Sequence, residues 1–365
     1  MLRNKLLLLI ILVNILFVQV SFSQHLHPGF NKKEYIEMLK ISASFGDSTY
    51  INAFPKPEQF HFVYRSPEVG LGNMWDLWTG KDSIAVISIR GTTAASISWL
   101  ANFYAAMVPA QGQLQLSATD TFSYKLASNP RAAVHVGWLL SMAYLVKDLM
   151  PKIDSCFNNG IKDFIIMGHS QGGAIAFLLT AYLRELQLSN ALHQNIQFKT
   201  YCSAGPKPGN LYFAQEYEAA TQQGWAYNVI NSADWVPETP VSIQTVNDFN
   251  TVNPFITAKD QIKKLKFPTN LLMRYAYNRL DKPTRQAQRN YQKYLGKMTS
   301  TQIKKVLPDF QPPAYAATND YVRTGNTIVL LADEEYYKLY PNDKEKIFTH
   351  HFHPPYLYLA NKLPD

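Results

Sequence analysis

The sequence predicts an α/β chain: a mostly parallel central sheet flanked by helices, with a mainly helical insertion before its C-terminal end. Three observations carry this. Strand-like runs recur at residues 83–89, 163–167, 195–203, 226–231 and 326–332, and the near-continuous apolar run at 83–89 is the composition of a strand covered on both faces. Between several of them lie segments with apolar residues at helical spacing. A chain that alternates strand and helix in this way needs right-handed crossovers and pairs its strands in parallel.

In chain order, residues 1–23 read as a signal peptide. Arg3 and Lys5 form a basic start, an apolar run extends from Leu6 to Val20, and Ser21-Phe22-Ser23 gives a small-residue cleavage site. Residues 32–45 place Tyr35, Met38 and Leu39 at helical spacing, so a first amphipathic helix is expected there. Residues 60–64 and 73–79 read as two strands joined by a Pro/Gly turn, an antiparallel edge to the sheet. The strand at 83–89 ends in Arg90-Gly91-Thr92-Thr93. Residues 94–108 form a helix whose stripe of Ile97, Leu100 and Tyr104, with Trp99 and Phe103 beside it, is too apolar to face water. Residues 109–133 read as a loop or short strands. The long buried helix at 135–150 is expected to stop at Pro151, with His135 as a capping or packing residue at its start.

Residues 163–188 are the centre of the pattern. A buried strand runs directly into Gly168-His169-Ser170-Gln171-Gly172 and then into a helix. So tight a reversal leaves room only for near side-chain-free residues two before and two after the serine, which the two glycines satisfy. Ser170 is left at the apex, at the carboxyl end of a strand and the start of a helix, where backbone N–H groups are free. A strand, a breaker-rich loop at 204–209, a helix at 211–223 and another strand follow, the last ending in Ser232-Ala233-Asp234. A final helix is expected at 356–361.

The two cysteines, Cys156 and Cys202, do not make a disulfide framework and read as unpaired thiols. Of the formal charge of +8, Arg3 and Lys5 account for two, and most of the remaining excess is local. From Lys259 to Lys305 the acids are Asp260 and Asp281 alone, against many lysines and arginines with tyrosines interleaved. A solvated helical face or contact with an anionic membrane fits this segment; nucleic acid is not expected for an exported protein.

A serine hydroxyl needs an imidazole to take its proton, and the imidazole needs a carboxylate to fix its tautomer. In a parallel sheet both come from loops at the carboxyl ends of later strands, and Asp234 meets that condition. His350, His351 and His353 compete for the imidazole role. The order Ser, Asp, His is that of α/β hydrolases. No carboxylate or cysteine accompanies the histidines at ligand spacing, so no metal site is expected.

Taken together, Ile89-Arg90-Gly91-Thr92, Trp99-Leu100-Ala101-Asn102, His135-Val136-Gly137, Gly168-His169-Ser170-Gln171-Gly172-Gly173 and Asn231-Ser232-Ala233-Asp234 with Val236-Pro237 resemble the class 3 lipases, an α/β-hydrolase family. The resemblance implies one α/β-hydrolase domain over 24–365 with a helical insertion at 241–325. It implies Ser170 as nucleophile, Asp234 as orienting acid, and Thr92 and Gln171 as oxyanion donors. It selects His351, five residues before Tyr356, with His353 second and His350 third. It makes Ile97, Trp99, Leu100 and Phe103 the lid, and a lipid ester the substrate, with peripheral contact at a lipid interface or anionic membrane and no cofactor. Three departures stand out: Gln171 replaces the usual leucine, Ser98 stands where an acid or asparagine often precedes the tryptophan, and the insertion is long. The alternatives are an esterase for short-chain or carbohydrate esters and a non-catalytic surface-binding protein. Export to periplasm, cell surface or medium follows from the signal.

Overall fold

The computed structural model describes residues 25–364; the expected signal, residues 1–23, lies outside them. Seven strands form the main sheet: β1 (Phe60–Arg65), β2 (Trp75–Gly80), β3 (Ile84–Ile89), β4 (Asp163–His169), β5 (Gln197–Ser203), β6 (Ala226–Asn231) and β7 (Asn326–Leu330). They lie across it in chain order. The first three pair antiparallel, and β3 through β7 pair parallel. The helices of the described residues include α1 (Lys32–Ala43), α2 (Ser96–Phe103), α3 (Val136–Asn158), α4 (Gln171–Leu188), α5 (Leu211–Thr221), α6 (Ala258–Lys264), α7 (Thr269–Gln292), α8 (Thr299–Val306) and α9 (His353–Lys362).

Alternation along the strands divides the core into two layers. Ile87, Phe164, Ile166 and Phe198 pack with α3 and α4 on one face. Val86, Ile165, Met167, Tyr201 and Val229 pack with α1 and α9 on the other. That is the period-2 consequence of strand geometry, and it is why the central strands carry apolar residues on both faces. Each large apolar side chain fully buried in these layers contributes roughly 1.5–3 kcal/mol.

Three expectations are corrected. The helix at 135 does not stop at Pro151 but runs on to Asn158, which places Cys156 within it. Pro151 and Lys147 both face solvent, so water can serve the Lys147 carbonyl that loses its donor. Cys156 and Cys202 are both buried and free. The helix expected over 94–108 spans only Ser96–Phe103, because the chain then pairs at Met107–Pro109 in a small four-stranded sheet with 133–135, 209–210 and 321–322. The region 109–133 holds an antiparallel hairpin, Gln111–Ser117 with Asp120–Lys125. The last helix starts at His353 rather than Tyr356; Pro354 and Pro355 sit in its first turn, where a missing N–H costs nothing.

Residues 241–325 leave after β6 and return before β7. They carry α6, α7, one π-helical turn over Lys293–Met298, and α8. Near the two ends the Ile243 N–H donates to the Asn319 carbonyl at 2.9 Å.

The reversal from β4 into α4 is the most constrained point of the chain. Ser170 has φ 61° and ψ −129°, a conformation that costs an L-residue about 1–3 kcal/mol and persists only where packing imposes it. A Cβ on Gly168 would lie 2.1 Å from the Gly172 carbonyl oxygen, and one on Gly172 would lie 2.2 Å from that of Ile89. Gly172→Ala should therefore cost at least about 3 kcal/mol in urea unfolding; a loss of under 1 kcal/mol would show that β3 and α4 yield readily.

Candidate active site

Ser170 stands at the N-terminal end of α4 and lines a cavity of about 840 Å³. Its hydroxyl makes no hydrogen bond among the described residues. The turn after β3 lies directly against it: a Cβ on Gly91 would be 3.4 Å from Ser170 Cβ. That turn carries Thr92 to the cavity wall beside Gln171, and His351 also lines the cavity.

Asp234 follows β6 and is buried. Its Oδ1 accepts from the Val236 N–H at 3.0 Å. Its Oδ2 accepts from two groups of the C-terminal segment, His351 Nδ1 at 2.7 Å and the Tyr356 hydroxyl at 2.8 Å. A carboxylate accepts only, so His351 Nδ1 carries a proton, and in the neutral ring this leaves Nε2 with its lone pair. That second nitrogen makes no hydrogen bond among the described residues. The other two candidates differ. His350 is held by the Tyr336 hydroxyl and Asn342 Oδ1, away from the cavity. His353 lines the cavity, but its Nδ1 is bonded to the Tyr50 hydroxyl and its Nε2 to Ser42 Oγ.

A further histidine, His169, was not singled out by the sequence pattern. Its Nε2 lies 2.7 Å from the His351 carbonyl oxygen and must donate to it, so its Nδ1 accepts from Ser203 Oγ at 3.1 Å, and Tyr35 in turn donates to Ser203 at 2.8 Å. The ring also stacks on His353, with centroids 4.3 Å apart. The backbone that presents His351 is thus tied to the nucleophile turn. Asn231 makes a second tie, its amide donating to the His350 carbonyl at 2.9 Å.

The Thr92 side is organised by Asn102, which the sequence offered only as part of a motif. Trp138 Nε1–H can only donate, and it does so to Asn102 Oδ1 at 2.9 Å. The Asn102 orientation is thereby set, and Gln171 Nε2 donates to the same oxygen at 2.8 Å. Asn102 Nδ2 then donates to Thr92 Oγ1 at 3.0 Å. Because Thr92 Oγ1 accepts there, its own proton remains for another acceptor. Gln171 also donates to the Ser98 carbonyl at 3.0 Å, a contact unavailable to the leucine more usual at this position.

The four lid candidates divide. Trp99 and Phe103 stack on each other and line the cavity, Trp99 facing Phe348. Ile97 and Leu100 are packed against the main core instead. The insertion supplies Tyr291 and Leu295 to the cavity wall, and the Ala106 N–H donates to the Leu295 carbonyl.

The parallel sheet, the strained serine between strand and helix, and an acid and imidazole arriving from later strand ends are the plan of an α/β hydrolase. Residues 86–243 match the family described as Lipase (class 3); His351 lies beyond the matched segment. Over 109 residues the chain is 31% identical to the secreted mono- and diacylglycerol lipase 1 of Fusarium solani, a match that covers 29% of this chain and 29% of that protein. The matched stretch is thus under a third of the relative's length. Among solved structures, it is similar to a fungal lipase bound to an inhibitor (20% identity, 57% of this chain and 74% of that one, TM-score 0.43). It is also similar to a propeptide complex of Rhizomucor miehei lipase (21% identity, 59% and 65%, TM-score 0.41).

Burial sets the protonation of the surrounding histidines. His135 accepts the Trp138 N–H through Nδ1 as the cap of α3, and its Nε2 lies 3.2 Å from the Asn102 carbonyl oxygen. Desolvation pushes its pKa down to about 3. Desolvation, with His353 and His351 nearby, holds His169 well below its ordinary value too. Both rings are neutral when folded, whereas in the unfolded chain they titrate near 6.5. Below that pH the unfolded state binds protons the native state does not, so stability is complete above about 6.5 and falls as pH drops toward 3. Urea unfolding should lose on the order of 1 kcal/mol per pH unit per histidine between pH 6 and 5. His135→Asn, which keeps a capping acceptor, should reduce that slope; an unchanged slope would contradict this account.

Proposed function

We propose that the chain is an exported serine hydrolase that cleaves carboxylic esters of lipids, triacylglycerol lipase or phospholipase A1-like, through an acyl-enzyme. The observation that carries the reading is the proton order at the site: His351 Nδ1 is committed to buried Asp234, and Nε2 is left as a base in the cavity that the Ser170 hydroxyl also lines. In this reading a bound ester brings Ser170 and His351 within hydrogen-bond reach, His351 takes the hydroxyl proton, and the oxygen attacks the ester carbonyl. The Thr92 hydroxyl, left with its proton free by Asn102, and the backbone N–H groups of Thr92 and Gln171 receive the developing oxyanion. The protonated imidazole then releases the alcohol, and water repeats the sequence on the acyl-enzyme.

The lipid assignment is supported by the family, by the aromatic wall of Trp99, Phe103, Trp235 and Phe348, and by exposed Phe103 and Phe352 at the same cavity. In this reading Trp99 and Phe103 meet the acyl chain, and movement of α2 as a lid requires breaking the Gln171 and Asn102 bonds that hold it. Export follows from the sequence of residues 1–23.

A fluorophosphonate probe should label the native protein and not Ser170→Ala. His351→Ala should lower kcat by at least about a thousandfold, while His353→Ala keeps much of the activity because neither of its ring nitrogens is available. Labelling that persists in Ser170→Ala, or the reverse ranking of the histidines, would sink this assignment. Substrate class is read separately. Rates on a medium-chain ester should rise once it exceeds its solubility limit and forms droplets; a rate that merely saturates below that limit would favour the short-chain or carbohydrate-ester esterase.

A further inference from the structure

The insertion carries a surface that the chemistry does not use. From Phe255 to Lys282 the chain presents large apolar side chains to solvent: Phe267 is 78% exposed, Leu272 67% and Leu280 74%, with Phe255, Ile256, Leu265, Leu271, Met273 and Tyr275 also exposed. Among the described residues none of these side chains belongs to either main core layer. Helix α7 explains the division. Its C-terminal half is seated on the body, with Gln288 and Gln292 donating to the Ala317 and Ala316 carbonyls and Tyr291 packed beside Met107 and Tyr321. Its N-terminal half projects beyond those anchors, and Pro283 lies between the two.

Charge identifies the occupant of this surface. The two acids of the stretch are already neutralised, Asp260 by Lys263 and Asp281 by Lys259 and Arg285. Lys264, Lys266, Arg274, Arg279 and Lys282 remain among or beside the exposed apolar groups. A protein partner or a second copy would have to desolvate these cations, whereas the interface of an anionic bilayer takes apolar side chains below its headgroups and cations among them. The geometry points to α6, the 265–268 turn and the N-terminal half of α7 as a docking arm for an anionic lipid surface. The arm is distinct from the aromatic wall of the cavity. Helix α7 spans 24 residues, about 36 Å at an ordinary helical rise, and its far end supplies Tyr291 to that wall, so docking and the substrate cavity share one helix. This inference deepens the lipid-ester reading and rests on it only for the benefit of staying at the surface.

The test uses the full chain with vesicles of phosphatidylcholine, alone and mixed with phosphatidylglycerol. Wild type should co-sediment with the mixed vesicles, less so in high salt as exposed charges are screened. Phe267→Asp with Leu272→Asp should weaken that binding on the order of a hundredfold. Lys264→Glu with Lys266→Glu should weaken it about tenfold or more on the mixed vesicles and leave phosphatidylcholine unaffected. Turnover of a soluble short-chain ester, followed in the same samples together with circular dichroism, should stay within about twofold, since none of these four residues lines the cavity. No binding to mixed vesicles, equal binding by the Phe267/Leu272 variant, or a wild-type dimer that this variant dissociates with vesicle binding unchanged would overturn the docking arm. Vesicle binding without any ester turnover would overturn the hydrolase reading and leave the arm standing.

Discussion

The arrangement depends on one backbone reversal that tolerates no added atoms. At Ser170 the chain leaves β4 and enters α4 so abruptly that the Gly172 oxygen occupies the space of a Gly168 side chain, and the Ile89 oxygen that of a Gly172 side chain. The positive φ of Ser170 is held by this contact between three segments rather than by any local preference. The same contact brings the end of β3, and with it Gly91 and Thr92, against the serine. Strain at the turn and placement of the neighbouring groups are thus one packing fact.

Around that turn, directionality comes from groups that have no choice of role. An indole N–H only donates, a carbonyl only accepts, and a carboxylate accepts at both oxygens. Trp138 therefore fixes Asn102, which fixes the Thr92 proton. The His351 carbonyl fixes His169, and Asp234 fixes His351. Neutral buried imidazoles serve here as oriented dipoles, and their burial keeps them so. The acid sensitivity that accompanies them is the thermodynamic cost of that orientation.

Much of this was legible in the sequence because the signals are local. The buried strands are apolar on both faces, the glycines flank the serine at fixed offsets, and Asp234 follows its strand directly. The extent of α3 was not legible, since whether Pro151 breaks a helix depends on which side of it meets water. Nor could the roles of Asn102, His169 and Tyr356 be read from neighbours in sequence. Each acts on a partner tens to hundreds of residues away, and a polar residue beside an apolar run reads equally well as a cap or a surface group. The choice among His350, His351 and His353 shows the same limit. Adjacent imidazoles are nearly equivalent in their own sequence surroundings, so only the resemblance, through the spacing to Tyr356, ranked them, and the tertiary positions of Tyr336, Tyr50 and Ser42 are what distinguish the three rings physically.

The cavity wall supplied by residues 241–325 has a different origin from its floor. Tyr291 and Leu295 belong to a stretch fastened near its two ends by the bond between Ile243 and Asn319, while Ser170, Asp234 and His351 sit on strand and tail elements outside it. Such a layout puts part of the ligand-facing surface on a different segment from the reacting groups, so side-chain changes at Tyr291 or Leu295 redraw the space offered to a ligand while the groups beneath keep their bonds.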